Sequence, residues 1–220
     1  GMTDAPKHLA KSLDVSNSQQ VIELSRDADL WTARTASGDF FLGKHLVITA
    51  PLPQAMDLLD ATGLAYANGA TDALRAVRYE RGLATLAILD GASGLPEPGG
   101  IKIHEAPLTW IADNQQKGIS PNASGITIHA DADFAEVHWN SPNELRGALM
   151  LEAAAPHFSA KVVEYNCHRW GFTTPINPWA EPYFQNAGLE LTLAGDSFGG
   201  ARVEGAALSG IEAAAAVFSG

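Results

Sequence analysis

The segment with the clearest chemical pattern lies close to the C terminus. Apolar residues alternate over 189–193, which predicts a strand that delivers Gly195 and Asp196 at its carboxyl end. A glycine-rich turn follows, and the pattern over 203–218 predicts a helix. The unpaired N–H groups at the start of such a helix attract an anion or an electron-rich ring. Close packing of a small-residue helix on a sheet would explain the same pattern without a ligand.

A serine hydrolase is the main alternative at the same place. The run Gly195-Asp-Ser-Phe-Gly199 satisfies the Gly-x-Ser-x-Gly pattern between a strand and a helix. In that fold Ser197 needs a histidine base further along the chain, whereas the last histidine of this sequence is His168, upstream of the serine. Two further glycines also separate Ser197 from the predicted helix. The pattern therefore favours a hydrolase less than a binding loop.

Two other groups of residues deserve a chemical interpretation. Four side chains resemble metal ligands by type, namely His129, Asp131, Asp133 and His138. Their spacing matches no metal-binding motif, and two strands joined by a turn with solvated carboxylates explain them equally well, so no metal is expected.

Cys167 and His168 are adjacent on a predicted strand, so their side chains point to opposite faces and cannot share a proton. Cys167 is expected to be a small buried residue.

Composition narrows the class of protein. The 220 residues include 14 basic and 25 acidic side chains, for a net charge of −11, which disfavours nucleic acid and anionic membrane surfaces as partners. A single cysteine fits a reducing cytoplasm. The sequence has no apolar run of membrane-spanning length, and its first residues lack the basic flank of a signal peptide. We therefore expect a globular cytoplasmic protein.

Hydrophobic patterning predicts an α+β fold. Strands are predicted at Val21–Leu24, Leu30–Thr35, Phe40–Leu42, His45–Ala50, Leu83–Leu89, Leu108–Ala112, Ile126–Ala130, Ala135–Trp139 and Val162–Trp170. Helices are predicted at Asp4–Val15, after Pro53, at Thr71–Tyr79 and after the N-cap Ser141. The C-terminal helix carries an apolar stripe formed by Leu208, Ile211, Ala215 and Phe218.

The C-terminal motif resembles a known family. Leu193–Asp196 followed by Gly200–Gly210 is similar to the C-terminal flavin motif of FAD-dependent amine oxidases, most closely the renalase-like branch. Four other segments match that branch in the right order: Gly1-Met2 with Lys7–Ala10, Leu46–Ala55, Leu108–Asp113 and His168–Trp170. The loop Asn114–Ser120 departs from the branch, which usually has a Lys-Pro-containing loop there.

The resemblance implies a cofactor, a reaction and site residues. FAD would be bound by Gly195, Asp196, Arg202, Val203, Glu204, Gly205 and Ala206. Trp110 and Trp170 lie in matching motifs and are the best candidates to line a substrate cavity, although core packing is the commoner role for a tryptophan. The implied reaction is hydride transfer from a small amine or a dihydropyridine-type molecule to flavin, with oxygen as the final acceptor.

One departure from the family shapes the remaining expectations. The sequence contains no Gly-x-Gly-x-x-Gly, the motif that cradles the pyrophosphate of FAD. We therefore predict an α/β-type partial FAD-binding domain, 1–52 with 176–220, and an antiparallel-sheet substrate domain, 53–175. The isolated chain is expected to be inactive and to self-associate through the face that a missing flavin segment would cover. A non-catalytic binding module is the alternative.

Overall fold

The computed structural model describes residues 3–219, apart from the side chain of Ser219. The helices are α1 (Asp4–Leu9), α2 (Leu52–Asp60), α3 (Thr71–Arg75), α4 (Ala132–His138), α5 (Asn143–Ala154) and α6 (Val203–Ser219). The strands are β1 (Val21–Asp27), β2 (Leu30–Thr35), β3 (Phe40–Gly43), β4 (Leu46–Ile48), β5 (Gly82–Leu89), β6 (Gly100–Lys102), β7 (Leu108–Asp113), β8 (Gly125–Ala130), β9 (Val162–Trp170), β10 (Phe184–Asn186) and β11 (Leu191–Leu193). The Gly1-Met2 part of the family resemblance lies outside the described residues.

The chain forms two compact units. The flanking unit comprises Asp14–Tyr79 together with the chain from Thr174 onward. The middle unit comprises Glu80–Thr173 together with the chain up to Leu13. Mixed helices and sheets in these units make this an α+β protein, as the sequence predicts.

The boundaries between the units differ from those expected from the sequence. The sequence predicts residues 53–79 in the substrate domain, whereas in the structure they belong to the flanking unit. The reason is hydrophobic burial: Met56 of α2 and Leu74 of α3 are nearly inaccessible to solvent and form part of the same core as Leu193. Residues 3–13 belong to the middle unit rather than to the flanking one.

Two three-stranded sheets build the flanking unit. Strands β1, β2 and β3 form an antiparallel meander. The second sheet has the order β10-β11-β4, in which β11 runs parallel to β4 and Leu193 pairs with Ile48. The strand near the C terminus therefore pairs with the early part of the chain, as expected, and not with the sheet of the middle unit. This pairing brings the ends of β4 and β11 side by side.

The middle unit contains one antiparallel sheet with the order β6-β7-β8-β5-β9. Side chains alternate along most of β5: Leu83, Thr85, Ala87 and Leu89 are buried, and the small residue Ala84 is buried as well. Helix α5 lies over the buried face, where the Thr85 hydroxyl is 3.2 Å from the Met150 sulfur. Leu86 and Ile88 point to the opposite face and are exposed. We call that opposite side of the sheet the open face.

Cys167 lies in the buried face of β9, as predicted. It is 1% exposed, and its sulfur is 3.9 Å from the Met150 sulfur of α5. Its neighbour His168 points the other way, to the open face, so the two side chains share no proton.

One predicted strand is a helix. The residue pattern predicts a strand at Ala135–Trp139, whereas the structure has α4 at Ala132–His138. The helix forms because the Asp131 side chain caps its first turn by accepting a hydrogen bond from the Phe134 amide at 2.7 Å. The helix predicted at Thr71–Tyr79 is also shorter than expected and ends at Arg75.

Helix α6 packs through its small residues. Ser209 and Ala213 are buried, whereas Leu208, Ile211 and Phe218 of the predicted apolar stripe are 52%, 63% and 89% exposed. The apolar stripe is thus the outer side of the helix. Within residues 3–219, no helix combines the length and the hydropathy needed to cross a bilayer.

Candidate functional site

The loop after β11 follows the end of β4 very closely. We call residues 194–202 the strand-end loop. The Ala194 amide donates to the Ile48 carbonyl at 3.1 Å, which prolongs the parallel pairing by one residue. Gly195 has a φ of +127°, and a Cβ there would lie 3.3 Å from the Thr49 carbonyl oxygen. Both the backbone conformation and the close approach therefore favour glycine at this position.

Asp196 is held in place by a tyrosine. The Tyr79 hydroxyl donates to one oxygen of the Asp196 carboxylate at 2.7 Å and also contacts the Ser197 hydroxyl. Burial raises the pKa of Tyr79 to about 12; the hydrogen bond with Ser197 opposes this shift, and the Asp196 carboxylate adds to it. The tyrosine therefore remains a hydrogen-bond donor at neutral pH. Its bond orients the carboxylate while the second carboxylate oxygen remains an acceptor.

The second half of the strand-end loop approaches the start of α6. Gly199 and Gly200 have φ values of +71° and +137°. A Cβ at Gly205 would lie only 2.2 Å from the Gly200 carbonyl oxygen, so the two backbones can meet only because this residue has no side chain. The Gly195 amide donates to the Ser209 hydroxyl at 2.9 Å, which ties the loop to the buried side of the helix.

The amino end of α6 has free donor capacity. The Ala206 amide donates to the Arg202 carbonyl at 2.9 Å and is the first to make a helical hydrogen bond. The amides of the preceding helical residues, 203–205, have no carbonyl four residues earlier within the helix. They lie at the positive end of the helix dipole, which attracts anions and electron-rich groups.

An open cavity of about 340 Å³ lies at this helix end. Its lining consists of Gly199, Gly200, Ala201, Arg202, Glu204, Gly205 and Leu208. Of the residues expected to bind a cofactor, Arg202, Glu204 and Gly205 line the cavity directly. Val203 is 72% exposed beside it, and Ala206 is half-buried in the next turn. Gly195 and Asp196 lie in the same loop but not on the cavity wall.

The two candidate tryptophans share one face of the middle sheet. Trp110 pairs with His129 across β7 and β8, and Trp170 pairs with Gly82 across β9 and β5. Residues directly opposite in an antiparallel pair point to the same side, so this register puts both rings on the open face. The Trp170 ring packs edge-on against His168, with 4.6 Å between the ring centroids. The open face is thus aromatic at this end.

His129 lies in this aromatic part of the open face. Partial burial of its ring, and then the charge of Lys117, lower the pKa of His129. The imidazole is therefore mainly neutral at pH 7 and can accept or donate a hydrogen bond.

Comparison with known proteins identifies the family. The profile of the family described as "Flavin containing amine oxidoreductase" matches residues 1–218. The chain belongs to this family.

Solved structures resemble this member of the amine oxidoreductase family in fold. A protein provisionally assigned as a protoporphyrinogen oxidase, from Exiguobacterium sp. 255-15, superposes with a TM-score of 0.66 at 14% identity, over 100% of this chain and 51% of that one. Cyclohexylamine oxidase from Brevibacterium oxydans IH-35A gives a TM-score of 0.64 at 14% identity, over 91% and 48%. The PF1083 protein from Pyrococcus furiosus gives 0.53 at 15% identity, over 92% and 47%. This amine oxidoreductase chain spans about half the length of these structures.

The residues at the amino end of α6 have the chemistry needed to bind part of a flavin. Where Gly200 of the loop meets Gly205 of the helix, the contact is between backbone atoms and no side chain stands in the way. Helix amides and the Arg202 side chain are suitable donors for the oxygen atoms of a flavin ring, and the Asp196 carboxylate is a suitable acceptor for ribityl hydroxyls. The family's flavin therefore has a chemically suitable surface here.

Two residues of this site have roles that the sequence does not predict. Tyr79 lies at the end of a predicted helix and in no motif, so its bond to Asp196 becomes visible only in the folded chain. Ser209 belongs to the quoted motif, but its role as the acceptor of the Gly195 amide depends on how α6 packs.

Ser197 is buried and lacks the surroundings of a catalytic nucleophile. Its side chain is 2% exposed, and its hydroxyl partner is Tyr79 rather than an imidazole. Its carbonyl accepts a hydrogen bond from the Trp179 amide at 2.7 Å. A hydrolytic nucleophile needs access to substrate and a histidine base, so the hydrolase interpretation has no support in this geometry.

The possible metal ligands are dispersed by α4. Asp131 caps the helix and Asp133 lies in its first turn, so the extended strand that would have aligned them with His129 does not form. Among the residues that the structure describes, no group of three or more His, Cys, Asp or Glu side chains could hold a metal ion.

Proposed function

We propose that this chain is the C-terminal part of an FAD-dependent oxidoreductase of the renalase type. In this proposal the flanking unit supplies the second half of the flavin site and the middle unit supplies the substrate surface. The observation that carries the proposal is the strand-end loop, where Gly205 and Gly200 meet backbone to backbone beside the amino end of α6. Membership of the flavin-containing amine oxidoreductase family supports it.

Each part of the site has a defined task in this proposal. The helix amides stabilise negative charge on the ring oxygens, and Asp196, oriented by Tyr79, holds the ribityl chain. The aromatic end of the open face, with Trp110 and Trp170, positions the substrate and excludes water. When bound, FAD would supply the redox chemistry, which is hydride acceptance followed by electron transfer to oxygen. The substrate we propose is a small amine or a dihydropyridine-type molecule.

Little acid–base machinery is required for this chemistry. A hydride leaves the substrate with its electron pair, so the protein must mainly orient the reacting carbon and exclude solvent. The described residues of the strand-end loop match that requirement, since their polar groups are arranged to bind rather than to transfer protons. We also propose a cytoplasmic location, which the single cysteine, buried Cys167, supports.

We propose further that these 220 residues have no measurable oxidase activity by themselves. The sequence has no Gly-x-Gly-x-x-Gly, so the pyrophosphate of FAD would lack its cradle. Each missing charge-assisted hydrogen bond is worth about 1.5–3 kcal/mol. Losing two or three of them costs on the order of 5 kcal/mol, which corresponds to several thousandfold in affinity.

Titration of free FAD tests these proposals. We expect no saturable quenching of flavin fluorescence at micromolar protein, and no absorbance band after gel filtration with excess FAD. Binding of one flavin per chain in the micromolar range would contradict the predicted inactivity. The proposed function itself is tested by the reading frame before Gly1, which should encode a strand, a Gly-x-Gly-x-x-Gly turn and a helix. A stop codon directly before Gly1 in that frame, with no such segment encoded nearby, would contradict the proposed function.

One observation favours a binding module as the second candidate. The apolar stripe on the outer side of α6, with Leu208, Ile211 and Phe218, is exposed over several turns. Contiguous apolar surface of this kind marks an interaction site. We propose that copies of the chain associate through this stripe, and that the chain acts as an interaction module if no flavin segment accompanies it.

A further inference from the structure

Three arginines meet at one tryptophan of the middle unit. Trp139 lies directly after α4, in the short connection to α5. The guanidinium carbons of Arg81 and Arg169 lie 4.9 and 5.3 Å from the centroid of the Trp139 ring. The third arginine, Arg146, donates from Nη1 to the Trp139 carbonyl at 3.2 Å and to the Ser141 carbonyl at 2.6 Å. We call these three arginines, together with Trp139, the arginine cluster.

The arginine cluster lies on the side of the sheet opposite to the open face. In the register of β5 and β9, Arg169 pairs with the buried residue Leu83, so both side chains point to the face that α5 covers. Arg146 belongs to α5 itself and donates from Nη2 to the Cys167 carbonyl of β9 at 3.4 Å. The cluster is therefore separate from Trp170 on the open face and from the surface proposed for the substrate.

Two of the arginines are accessible and already oriented. Arg169 is exposed, and its only hydrogen bond within the described part of the chain runs from Nη1 to the Trp139 carbonyl, at 3.3 Å. The Arg81 side chain is exposed as well. A guanidinium that lies over an aromatic ring keeps its in-plane N–H groups for other partners. Because both groups lie near the same ring centroid, their carbons are at most about 10 Å apart, so one ligand can meet both.

Positive charge exceeds negative charge in the ion pairs of the arginine cluster. Arg81 Nη1 lies 3.2 and 3.3 Å from the two carboxylate oxygens of Glu136. None of the ion pairs among the residues that the structure describes involves Arg146 or Arg169. Arg146 is 6% exposed, and its buried Nε has no hydrogen-bond partner. Three cations thus share one carboxylate, and because a buried charge without a counter-ion is costly, an anionic ligand would stabilise the cluster.

We propose that the arginine cluster binds the phosphate group of a phosphate monoester. Such a group carries close to two negative charges at neutral pH, which matches the excess charge of the cluster. Arg81 and Arg169 donate to the phosphate oxygens, and Arg146 adds positive charge without contact. Glu136 competes with the phosphate for Arg81, and because that ion pair is exposed, its loss costs little.

The phosphate belongs to a small molecule rather than to a polymer. The net charge of −11 disfavours nucleic acid and anionic membranes, whose phosphates are diesters with one charge each. The inference concerns binding alone, so it requires neither a bound flavin nor the proposed function.

Three methyl esters of phosphate that differ mainly in charge test this inference. Methyl phosphate is a dianion at pH 8, dimethyl phosphate is a monoanion that represents the diesters of nucleic acid and phospholipid, and trimethyl phosphate is neutral. We would titrate each into the ¹⁵N-labelled chain at constant ionic strength, without phosphate or sulfate in the buffer, and follow the amide signals of 136–146 and 167–170. Methyl phosphate should bind about fivefold more tightly than dimethyl phosphate, because it gains a second exposed ion pair. Trimethyl phosphate should cause no saturable shift.

Two variants of the cluster should change the affinity for methyl phosphate in opposite directions. Arg169→Gln should weaken binding about threefold to fivefold, because one exposed ion pair is lost. Glu136→Gln should strengthen binding about twofold to threefold, because the competing carboxylate is removed. Arg169→Lys retains the charge but not the planar fork of donors, so its affinity should lie between those of the wild type and Arg169→Gln.

Arg34→Gln is the matched control for the net charge of the chain. Arg34 is an exposed arginine of the flanking unit that pairs with Glu23, so its replacement removes the same charge as Arg169→Gln. Because Arg34 is not part of the cluster, the affinity for methyl phosphate should stay within about twofold of the wild type. The inference is overturned if dimethyl phosphate binds as tightly as methyl phosphate, if Glu136→Gln weakens binding, if Arg169→Gln and Arg34→Gln have equal effects, or if the shifted signals lie outside the cluster.

Discussion

Replacement of Gly205 by alanine is the sharpest test of the strand-end loop. The added Cβ would lie 2.2 Å from the Gly200 carbonyl oxygen, whereas an ordinary contact is 3.4–4 Å. The obstacle is backbone rather than a flexible side-chain end, so the loop must move by about 1 Å or the first turn of α6 must unwind. We therefore expect the variant to lose stability in the flanking unit and to change the cavity at the helix end.

The change in the free energy of unfolding of Gly205→Ala follows from two opposing effects. Overpacking of a close backbone contact costs about 3 kcal/mol at the upper end of the usual range. Alanine recovers about 1 kcal/mol relative to glycine within a helix. The expected net loss is about 2 kcal/mol, which would lower the melting temperature by about 4–8 °C in a chain of this size.

Gly210→Ala is the matched control. Gly210 lies in the same helix, and a Cβ there would meet no atom within 4 Å. This variant should gain about 1 kcal/mol and should melt about 2–4 °C higher than the wild type. Differential scanning calorimetry of the three proteins under one buffer condition measures both shifts. If Gly205→Ala melts at or above the wild-type temperature, the close approach to Gly200 is not a feature of the folded protein.

Three further predictions concern other parts of the chain. Burial opposes the charge of Asp113, but the Ser93 hydroxyl and the amides of residues 116 and 115 outweigh it, so its pKa is lowered from 3.8. Its stabilising effect is therefore complete above about pH 5 and is lost as the pH falls below 3.8; Asp113→Asn should cost about 1–3 kcal/mol at pH 7 and flatten the urea stability profile between pH 5 and 3. Asp196→Ala, in a protein that carries both flavin segments, should retain the fold and weaken FAD binding about tenfold or more, as flavin occupancy after dialysis would show, and unchanged occupancy would exclude the ribityl role. Ile211→Asp should shift the chain toward monomer in light scattering after gel filtration, whereas an unchanged mass would argue against association through α6.

Sequence periodicity predicted elements best where the local pattern and the tertiary environment agree. The strands at Leu30–Thr35 and Val162–Trp170 occur at the predicted bounds. The alternation of apolar residues wrongly predicted a strand where α4 forms. This helix buries only the small residue Ala135, so its apolar pattern is too short to tell a helical period from that of a strand. The cap formed by Asp131 favours the helix. In the sequence, an aspartate that caps a helix cannot be distinguished from one that is solvated in a turn.

The boundary between the two units could not be predicted from local sequence patterns, for a different reason. The strand predicted at His45–Ala50 is followed by a helix, since β4 ends at Ile48 and α2 begins at Leu52. This change from strand to helix is not the end of a unit, because a helix that follows a strand can pack back onto the same sheet. Which core receives Met56 and Leu74 depends on long-range contacts that local patterns do not encode.

The sequence by itself determined the α+β class and, through the resemblance of its C-terminal motif, the flavin-containing amine oxidoreductase family. The flavin contacts expected at Gly195, Asp196 and 202–206 stay a prediction. Only the tertiary structure decided how those residues meet: Tyr79 orients Asp196, and the Gly200 carbonyl closes on Gly205. It also decided which side of α6 is buried, since the sheet accepts the small side chains of Ser209 and Ala213 and leaves the apolar stripe outside. Such contacts join positions far apart in the chain, and the free energy that selects them comes from burial and backbone pairing in the folded state.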